Sequence, residues 1–351
     1  MKYIGNKSNL LEFIETSLQS GGVPLDGSFT DLFSGTTSVA EHFKRKGLAL
    51  ISNDFMTYSY VMQKAFIESN ALPNFEKVLD HLKIKSSGDQ LDVLIDHLNN
   101  IEPMEGYFFN NYGHGGNCNR MYFTRENACQ VDAIRELIGT WLTEELITDS
   151  EFYYLLAILI DAADHVANMS GTYGAYLKIW RSVALKKINL KKRHVYNNAK
   201  ANSVFQEKAE DLIKRISGDI LYLDPPYNSR QYAPNFHVLE SLAVWDKQEL
   251  SGKTGLRNYD NQKSDFSSKT KATKALASVF ESASFNHIAL SYNNEGIIPQ
   301  DSLEEILRSK GDVEVFVKDY RRFRTERDHE KRQYKKVDDK TQEFLYLVKV
   351  K

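Results

Sequence analysis

Residues 28–55, SFTDLFSGTTSVAEHFKRKGLALISNDF, indicate how the chain begins its central sheet. SFTDLFSG is typical of a strand that ends in a turn, TSVAEHFKRKG has the apolar spacing of a helix, and LALISNDF is typical of a second strand. This order is the first unit of a doubly wound α/β sheet. An earlier helix is predicted from apolar residues at helical spacing, namely Leu10, Leu11, Phe13, Ile14 and Leu18.

The remaining strands are predicted in the second half of the chain. The runs with strand character are RHVYN (193–197), DILYLDPPY (219–227), HIALSYN (287–293), DVEVFVKDY (312–320) and EFLYLVKV (343–350). A highly charged stretch without a core face separates the last two runs, which favours an antiparallel final strand pair over a crossover helix. Residues 251–274, rich in Ser, Lys, Thr and Gly, predict a long mobile loop.

A long helical pattern interrupts the sheet pattern in the middle of the chain. Its clearest helix, TDSEFYYLLAILIDAADHVAN, opens on a capping box formed by Thr148 and Glu151. We therefore predict an inserted, mainly helical domain over residues 62–184. The sheet domain would then comprise residues 1–61 and 185–351.

Composition excludes several classes of protein. The formal net charge of −2 gives no overall attraction to nucleic acid, so any such partner must be held by local patches. Cys118 and Cys129 form no CxxC pair, and we expect neither a disulfide framework nor a metal site. The N-terminus lacks a signal-peptide pattern, and Asp161 and Asp164 break the longest apolar run, so we expect a cytoplasmic protein with no membrane role.

Three candidate ligand sites follow predicted strands. In open α/β sheets, ligands bind beyond the carboxyl ends of the strands, where the strand order reverses. Gly35 allows close backbone approach before a helix N-terminus, although one glycine is also common in turns that bind nothing. Asp54 ends the next strand, where a carboxylate can accept ribose hydroxyls or simply cap a turn.

The third candidate, Asp224-Pro225-Pro226-Tyr227, carries a specific chemistry. Two prolines hold the backbone in a rigid extended turn. The Asp224 carboxylate and the Pro225 carbonyl can then point at one spot, beside the ring of Tyr227. Two acceptors and a stacking surface suit a planar ring with an exocyclic amino group, whose nitrogen becomes nucleophilic when both N–H groups are held by preorganised acceptors. The alternative is a proline-rich turn after a strand.

These motifs resemble the amino-group DNA methyltransferases that use S-adenosylmethionine, and specifically the adenine-N6 branch (D12 class) similar to the Dam and FokI-type methylases. The resemblance rests on KYIGNK, DLFSGTTSVA, ISNDF, DPPYNSRQYAPNFHVLESLA and IALSYNN in this order, with a long insertion before DPPY. It implies a Rossmann-like S-adenosylmethionine-dependent sheet domain and an inserted target-recognition domain.

The resemblance also implies roles for individual residues. Catalysis would fall to Asp224, Pro225, Pro226 and Tyr227. The cofactor would be contacted by Tyr3, Lys7, Asp31, Phe33, Ser34, Gly35, Asp54 and Asp224, with Lys7 suited to the methionine carboxylate and Asp54 to the ribose. Thr37 stands where these relatives usually have a second glycine, which leaves the backbone shape of the loop open, and the contact to the cofactor adenine, near Lys200 or Asn202, is unassigned.

A basic segment gives a candidate surface for DNA. Residues 178–200 contain eight Lys or Arg and no Asp or Glu, which suits phosphate neutralisation, although a solvated face is the ordinary reading of a charge run. The predicted contacts are Lys178, Arg181, Lys186, Lys187, Lys191, Lys192 and Arg193. Two glycine-rich segments, NNYGHGGNCNRMYFTREN and NMSGTYGAYLKIWR, could offer groups to base edges or merely connect packed helices.

The function expected from these features is transfer of a methyl group from S-adenosylmethionine to N6 of an adenine flipped out of double-stranded DNA. A cognate restriction endonuclease acting separately is a conceivable partner. A cytosine-C5 enzyme is disfavoured because neither cysteine follows a proline. Methylation of cytosine N4 or of an RNA amino group stays open, as does a catalytically silent DNA-binding specificity subunit.

Overall fold

The computed structural model describes residues 7–84, 88–321 and 340–351. These residues divide into two compact units. The helical unit contains Met56–Asn197 and Ala233–Asp260, and the sheet unit contains the described residues of Ile4–Phe55, Asn198–Tyr232 and Asn261–Lys351. This grouping by spatial proximity assigns residues 185–197 and 233–260 to the helical unit. The functional division into a catalytic domain and a target-recognition domain remains a prediction.

The sheet unit carries one sheet of seven strands. The strands are β1 (Ser28–Asp31), β2 (Ala49–Asn53), β3 (Ser203–Phe205), β4 (Ser217–Leu223), β5 (Ser284–Asn293), β6 (Gly311–Arg321) and β7 (Lys340–Val350). Their order is β3-β2-β1-β4-β5-β7-β6. The first five are parallel, and β7 pairs antiparallel with both β5 and β6. The predicted doubly wound sheet with an antiparallel final pair is confirmed, whereas the charged stretch at 322–339 lies outside the described residues.

The reversal of strand order falls between β1 and β4. Phe29 pairs with Ile220 and Asp31 with Tyr222, so the carboxyl ends of these neighbouring strands stop at the same edge of the sheet. The inward faces are apolar, with Phe29, Leu221 and Leu223 fully buried. A crevice for a ligand is expected at this edge.

The strand predicted at residues 193–197 is wrong. Tyr154 holds this segment instead, since its hydroxyl donates to the Arg193 carbonyl (2.8 Å) and accepts from the Arg193 N–H (3.0 Å). Backbone groups engaged by a side chain are not available to a strand ladder. The edge strand forms a few residues later, where Ser203–Phe205 pairs with Ile51–Asn53.

Helices form both between the strands and in the middle segment of the chain, as the apolar periodicity predicts. They are α1 (Leu11–Ser20), α2 (Ser38–Arg45), α3 (Thr57–Gln63), α4 (Glu76–His81), α5 (Gln90–Asn99), α6 (Tyr107–Tyr112), α7 (Arg125–Thr143), α8 (Asp149–Val166), α9 (Ala209–Leu212), α10 (Tyr232–Val244), α11 (Ala272–Ser282) and α12 (Gln300–Lys310). Within the described residues, none of them is both long and apolar enough to span a bilayer.

The helical unit is organised around aromatic residues and buried caps. Tyr112, Tyr122 and Tyr154 are essentially inaccessible to solvent. The predicted capping box of α8 is present, with Thr148 and Glu151 each bonded to the other's backbone N–H. Such caps satisfy the donors that a helix leaves unpaired at its first turn, and fix where the helix begins.

The segment predicted as a long loop, 251–274, lies mostly outside helices and strands. It contains short 3₁₀ turns at Asp260–Gln262 and Asp265–Ser267, and its last residues begin α11. The side chain of Gln231 bonds to both the N–H and the carbonyl of Ser264 at 2.8 and 2.9 Å. These contacts fix part of the segment within the sheet unit.

Candidate active site

Two carboxylates meet where the strand order reverses. Asp31 is the last residue of β1, and Asp224 follows directly after β4. Burial, together with the neighbouring carboxylates of Asp224 and Asp54, raises the pKa of Asp31 to about 8. The hydroxyl of Ser34 donates to Asp31 at 3.2 Å and opposes this rise. The predicted catalytic and cofactor aspartates therefore lie close enough to influence each other's charge.

Lys7 supplies the positive charge at this edge. Its side chain is 4% exposed, and its Nζ lies 3.2 Å from Oδ1 of Asp224 and in direct contact with Glu343. Burial disfavours the ammonium form, but the two carboxylates outweigh burial and keep the pKa of Lys7 well above its ordinary value. Lys7 thus joins the start of the described chain, the end of β4 and the start of β7 in one buried charge cluster.

The surroundings of Asp224 shift the pKa of its carboxyl group. Burial raises the pKa of Asp224 to about 7, Lys7 opposes this rise, and Glu343 adds to it. Oδ1 of Asp224 is paired with the Lys7 ammonium at 3.2 Å, which holds the carboxylate at the end of β4.

The residues after Asp224 present an aromatic ring beside this carboxylate. Pro225, Pro226 and Tyr227 lie outside helices and strands, and the carbonyl of Tyr227 accepts from the N–H of Ile297 at 3.0 Å. The ring of Tyr227 meets Tyr292 edge to face, with 6.3 Å between centroids. The ammonium of Lys7 lies 5.6 Å from the Tyr227 ring centre. The ring is thus placed by packing on two sides and is only half buried.

The loop after β1 is bound to the end of β2. The N–H of Gly35 donates to Oδ2 of Asp54 at 2.8 Å, and the N–H of Ser34 donates to the carbonyl of Asn53 at 2.8 Å. Phe33 packs edge to face on Phe266, with ring centres 4.9 Å apart. The predicted cofactor residues after β1 and β2 are therefore brought together.

The backbone of this loop is left-handed at two positions. Gly35 has φ +50° and Thr37 has φ +66°. Thr37 precedes α2, is fully buried, and its hydroxyl donates to the Thr36 carbonyl at 2.6 Å. A threonine therefore holds the conformation for which a glycine would be expected, and the open question about this position is resolved in favour of a glycine-like backbone.

The two residues considered for the cofactor adenine differ in their surroundings. Asn202 accepts from the N–H of Leu50 at 3.0 Å and forms a mutual amide pair with Asn198. Lys200 is exposed. Asn202 thereby connects the segment before β3 to β2, and the adenine contact stays unassigned. Tyr3, the other predicted cofactor contact, lies outside the described residues.

The predicted DNA-binding residues fall into two groups. Lys178, Lys186, Lys187 and Lys191 are exposed on a segment without helix or strand. The other three have partners in the helical unit: Arg181 donates to the Met169 carbonyl at 2.7 Å, Arg193 pairs with Asp161 at 3.1 Å, and Lys192 pairs with Asp89.

Glu343 belongs to the charge cluster around Lys7, although the sequence pattern does not single it out. It is 5% exposed, accepts from the hydroxyl of Ser291 at 2.8 Å, and contacts Lys7. The available signal was a carboxylate at the start of the mostly apolar run EFLYLVKV, because a buried carboxylate needs a partner. Across the described ranges, His, Cys, Asp and Glu form no group of three or more that could hold a metal ion.

Comparison with known proteins agrees with this geometry. Residues 3–306 match the profile of the D12 class N6 adenine-specific DNA methyltransferases. The chain is 42% identical over 336 residues to the type II methyltransferase M.FokI of Planomicrobium okeanokoites, which covers 94% of this chain and 50% of that protein. It is 38% identical over 331 residues to the modification methylase StsI of Streptococcus sanguinis, covering 93% and 49%.

A third relative has nearly the same length. The type II methyltransferase M.NlaIII of Neisseria lactamica is 37% identical over 350 residues, which is 99% of each chain. The present chain therefore spans about half the length of M.FokI and StsI and almost the whole of M.NlaIII.

Proposed function

This chain belongs to the D12 class of N6 adenine-specific DNA methyltransferases, and from that premise we propose that it methylates N6 of an adenine flipped out of double-stranded DNA at a specific site. The methyl donor of the proposal is S-adenosylmethionine, whose sulfonium supplies an already activated methyl group. The observation that carries the proposal is the buried Asp224 carboxylate at the reversal of strand order, paired with Lys7 and followed by the Pro-Pro turn and the ring of Tyr227.

In this proposal Asp224 accepts a hydrogen bond from one N–H of the adenine amino group. The Pro225 carbonyl, held by the stiff Pro-Pro backbone, would accept the second N–H. Together these acceptors favour the tetrahedral nitrogen as positive charge develops on it, and they need no rearrangement when the methyl group is transferred. The half-buried ring of Tyr227 would stack on the extruded base, which is worth about 1–3 kcal/mol and offsets part of the cost of flipping.

The proposed cofactor contacts use the loops after β1 and β2. The Gly35 to Asp54 hydrogen bond keeps that carboxylate at the strand end, where it suits two ribose hydroxyls. The left-handed backbone at Gly35 and Thr37 supports close approach of a ligand to the loop. Phe33, Ser34 and Asp31 line the same edge, and Tyr3 belongs to the proposal on resemblance alone.

Lys7 has two proposed tasks. Its contact with Asp224 holds the carboxylate in place, and its charge suits the methionine carboxylate of the cofactor. Glu343 keeps the ammonium buried at this position, because it neutralises part of the charge while Asp224 engages the base. Glu343 is thus proposed as a positioning residue.

The proposed DNA contact by phosphate neutralisation rests most firmly on Lys178, Lys186, Lys187 and Lys191, which are exposed. Since the relatives M.FokI and M.NlaIII are named as type II methyltransferases, we also propose a role in restriction-modification, with a separate cognate endonuclease as partner.

The proposal is tested by incubating the chain with labelled S-adenosylmethionine and either genomic duplex DNA or total RNA, followed by digestion to nucleosides. N6-methyldeoxyadenosine is the expected product. Label in N4-methyldeoxycytidine would show that the target is cytosine, and label in RNA would show that the substrate is RNA. Binding of duplex DNA without any label transfer would indicate a catalytically silent binding subunit. Sequencing of the modified positions then gives the recognised site.

A further inference from the structure

Two loops of the helical unit lie against each other, and the sequence leaves open whether they contact base edges or merely connect helices. The first comprises residues 113–119 and the second residues 174–180. The ring of His114 meets the ring of Trp180 edge to face, with centroids 5.9 Å apart. Beside this contact, Tyr122 packs against Tyr176 with centroids 5.1 Å apart. We call residues 113–119 and 174–180 together the loop pair.

The first loop is held by hydrogen bonds that its backbone N–H groups donate. The N–H of Gly115 donates to Oδ1 of Asn119 at 2.9 Å, and the N–H of Cys118 donates to the Asn110 carbonyl at 3.0 Å. A Cβ on Gly116 would lie 2.2 Å from the Phe109 carbonyl oxygen, so only glycine fits there. The loop presents exposed polar side chains at His114, Asn117 and Asn119.

The second loop is braced by one buried amide. The Asn168 side chain donates to the carbonyls of Met121 (3.1 Å) and Leu177 (2.9 Å), and accepts from the N–H of Arg181 at 3.1 Å. Met169 and Tyr176 form an isolated antiparallel bridge at its base. A loop fixed in this way has a defined shape before any partner arrives, which lowers the entropic cost of recognition.

The second loop also carries an exposed apolar side chain, Ile179, next to Trp180 in the sequence. Ile179 is 82% exposed and Leu185 is 61% exposed, and both lie in the segment 178–200 that carries eight cations and no acid. The positive charge of this segment suits the phosphates of a polyanion. The exposed apolar side chains suit a partner that also offers apolar groups. In the major groove of DNA, base edges offer hydrogen-bond donors and acceptors together with the methyl group of thymine.

We propose that the loop pair contacts base edges of DNA and determines which sequence is bound. His114, Asn117 and Asn119 supply the polar contacts, and Ile179 supplies the apolar contact. Lys186 and Lys187, exposed on the adjoining segment, contact phosphates and position the loops without reading the sequence. This inference rests on the proposed function, because it assigns the specificity of the same DNA-binding activity.

The test is a binding selection from a duplex library with randomised positions, in the presence of S-adenosylhomocysteine, so that no methyl transfer is needed. Wild type is compared with Ile179→Ala and His114→Ala. We expect each variant to lose discrimination roughly tenfold at one or more positions of the selected sequence, the size associated with one base contact. Lys186→Ala should weaken binding to all sequences alike and lower the salt slope by about 1.

The matched control is Met104→Ala, because Met104 is a 44% exposed apolar side chain elsewhere in the helical unit. It should leave the selected sequence unchanged. The inference is overturned if Ile179→Ala and His114→Ala both select the wild-type sequence with wild-type discrimination, or if wild type selects no sequence. Failure of the proposed function gives a different result, namely sequence-selective binding with no methyladenine in the nucleoside digest.

Discussion

The Nζ of Lys7 lies 3.2 Å from Oδ1 of Asp224, with both side chains largely buried. Glu343 contacts the same ammonium group from β7, so one cation serves two carboxylates. Removing both members of such a pair from water is costly, and buried charges persist only where partners compensate them. The cluster therefore sets the charge of the proposed catalytic carboxylate, and several predictions about that charge can be measured.

The rate of methyl transfer should fall on acidification through neutrality. Burial raises the pKa of Asp224 to about 7, so the proton is bound below that pH and the acceptor carboxylate is present above it. A protonated Asp224 accepts the amino group poorly. The measurement is kcat/KM for DNA as a function of pH, which reports groups of the free enzyme. A profile that stays flat from neutrality down to the pH of ordinary carboxyl titration would contradict this prediction.

Glu343→Gln should move that acidic limb to lower pH. The negative charge of Glu343 raises the pKa of Asp224, so removing the charge lowers it, and the carboxylate persists into more acidic solution. Ser291→Ala is the matched control, because it removes a hydrogen bond to Glu343 without removing the charge. If Glu343 had only a structural role, Glu343→Gln would reduce activity equally at every pH. A shift of the acidic limb of the pH profile to higher pH would contradict the prediction.

Thr37→Gly should leave the free energy of unfolding within about 1 kcal/mol of wild type. A left-handed backbone costs a non-glycine residue about 1–2 kcal/mol, and glycine relieves this cost. The relief is offset by about 0.5–1 kcal/mol of extra chain entropy, by loss of the hydroxyl bond to Thr36 and by loss of the buried methyl group. Thr37→Val keeps the strain, loses the bond, and should be destabilised by about 1 kcal/mol. Denaturant unfolding compares them, and a large loss in the glycine variant would contradict the argument.

Asn168→Ala should destabilise the helical unit by about 2–4 kcal/mol. The substitution removes three side-chain hydrogen bonds at a fully buried position and leaves backbone groups of Met121, Leu177 and Arg181 without partners. Hydrogen exchange at residues 174–181 should accelerate more than exchange in α8. Asn117→Ala, an exposed change in the other member of the loop pair, serves as the control. Equal stability of both variants would show that Asn168 does not brace the loop.

The sequence predicts most of the sheet because its strands are apolar runs that end in turns. β1, β2, β4, β5 and the antiparallel pair of β6 and β7 lie where the patterns place them. β3 lies at Ser203–Phe205 and not at RHVYN, where the backbone N–H and carbonyl of Arg193 bond to Tyr154, a residue distant in sequence. Local pattern cannot reveal such a partner.

The candidate site likewise contains residues that the sequence pattern indicates and residues that it does not. Asp224 and Asp54 are predicted as site residues because each is a carboxylate at the end of a predicted strand. Glu343 was missed because its importance depends on Lys7, which approaches it only in the fold. The backbone conformation of Thr37 could not be predicted from sequence either, since threonine by itself disfavours the left-handed region that it adopts.

Single-turnover transfer by Asp224→Asn tests the central claim most directly. The substitution keeps the shape of the side chain, and Glu343 still neutralises the buried Lys7, so the fold should persist. We predict that binding of S-adenosylmethionine, measured by equilibrium dialysis, stays within a few-fold of wild type, while label transfer to duplex DNA falls by about 10²-fold or more. Transfer at close to the wild-type rate in a variant that binds cofactor and DNA would contradict the claim that this carboxylate holds the reacting amino group.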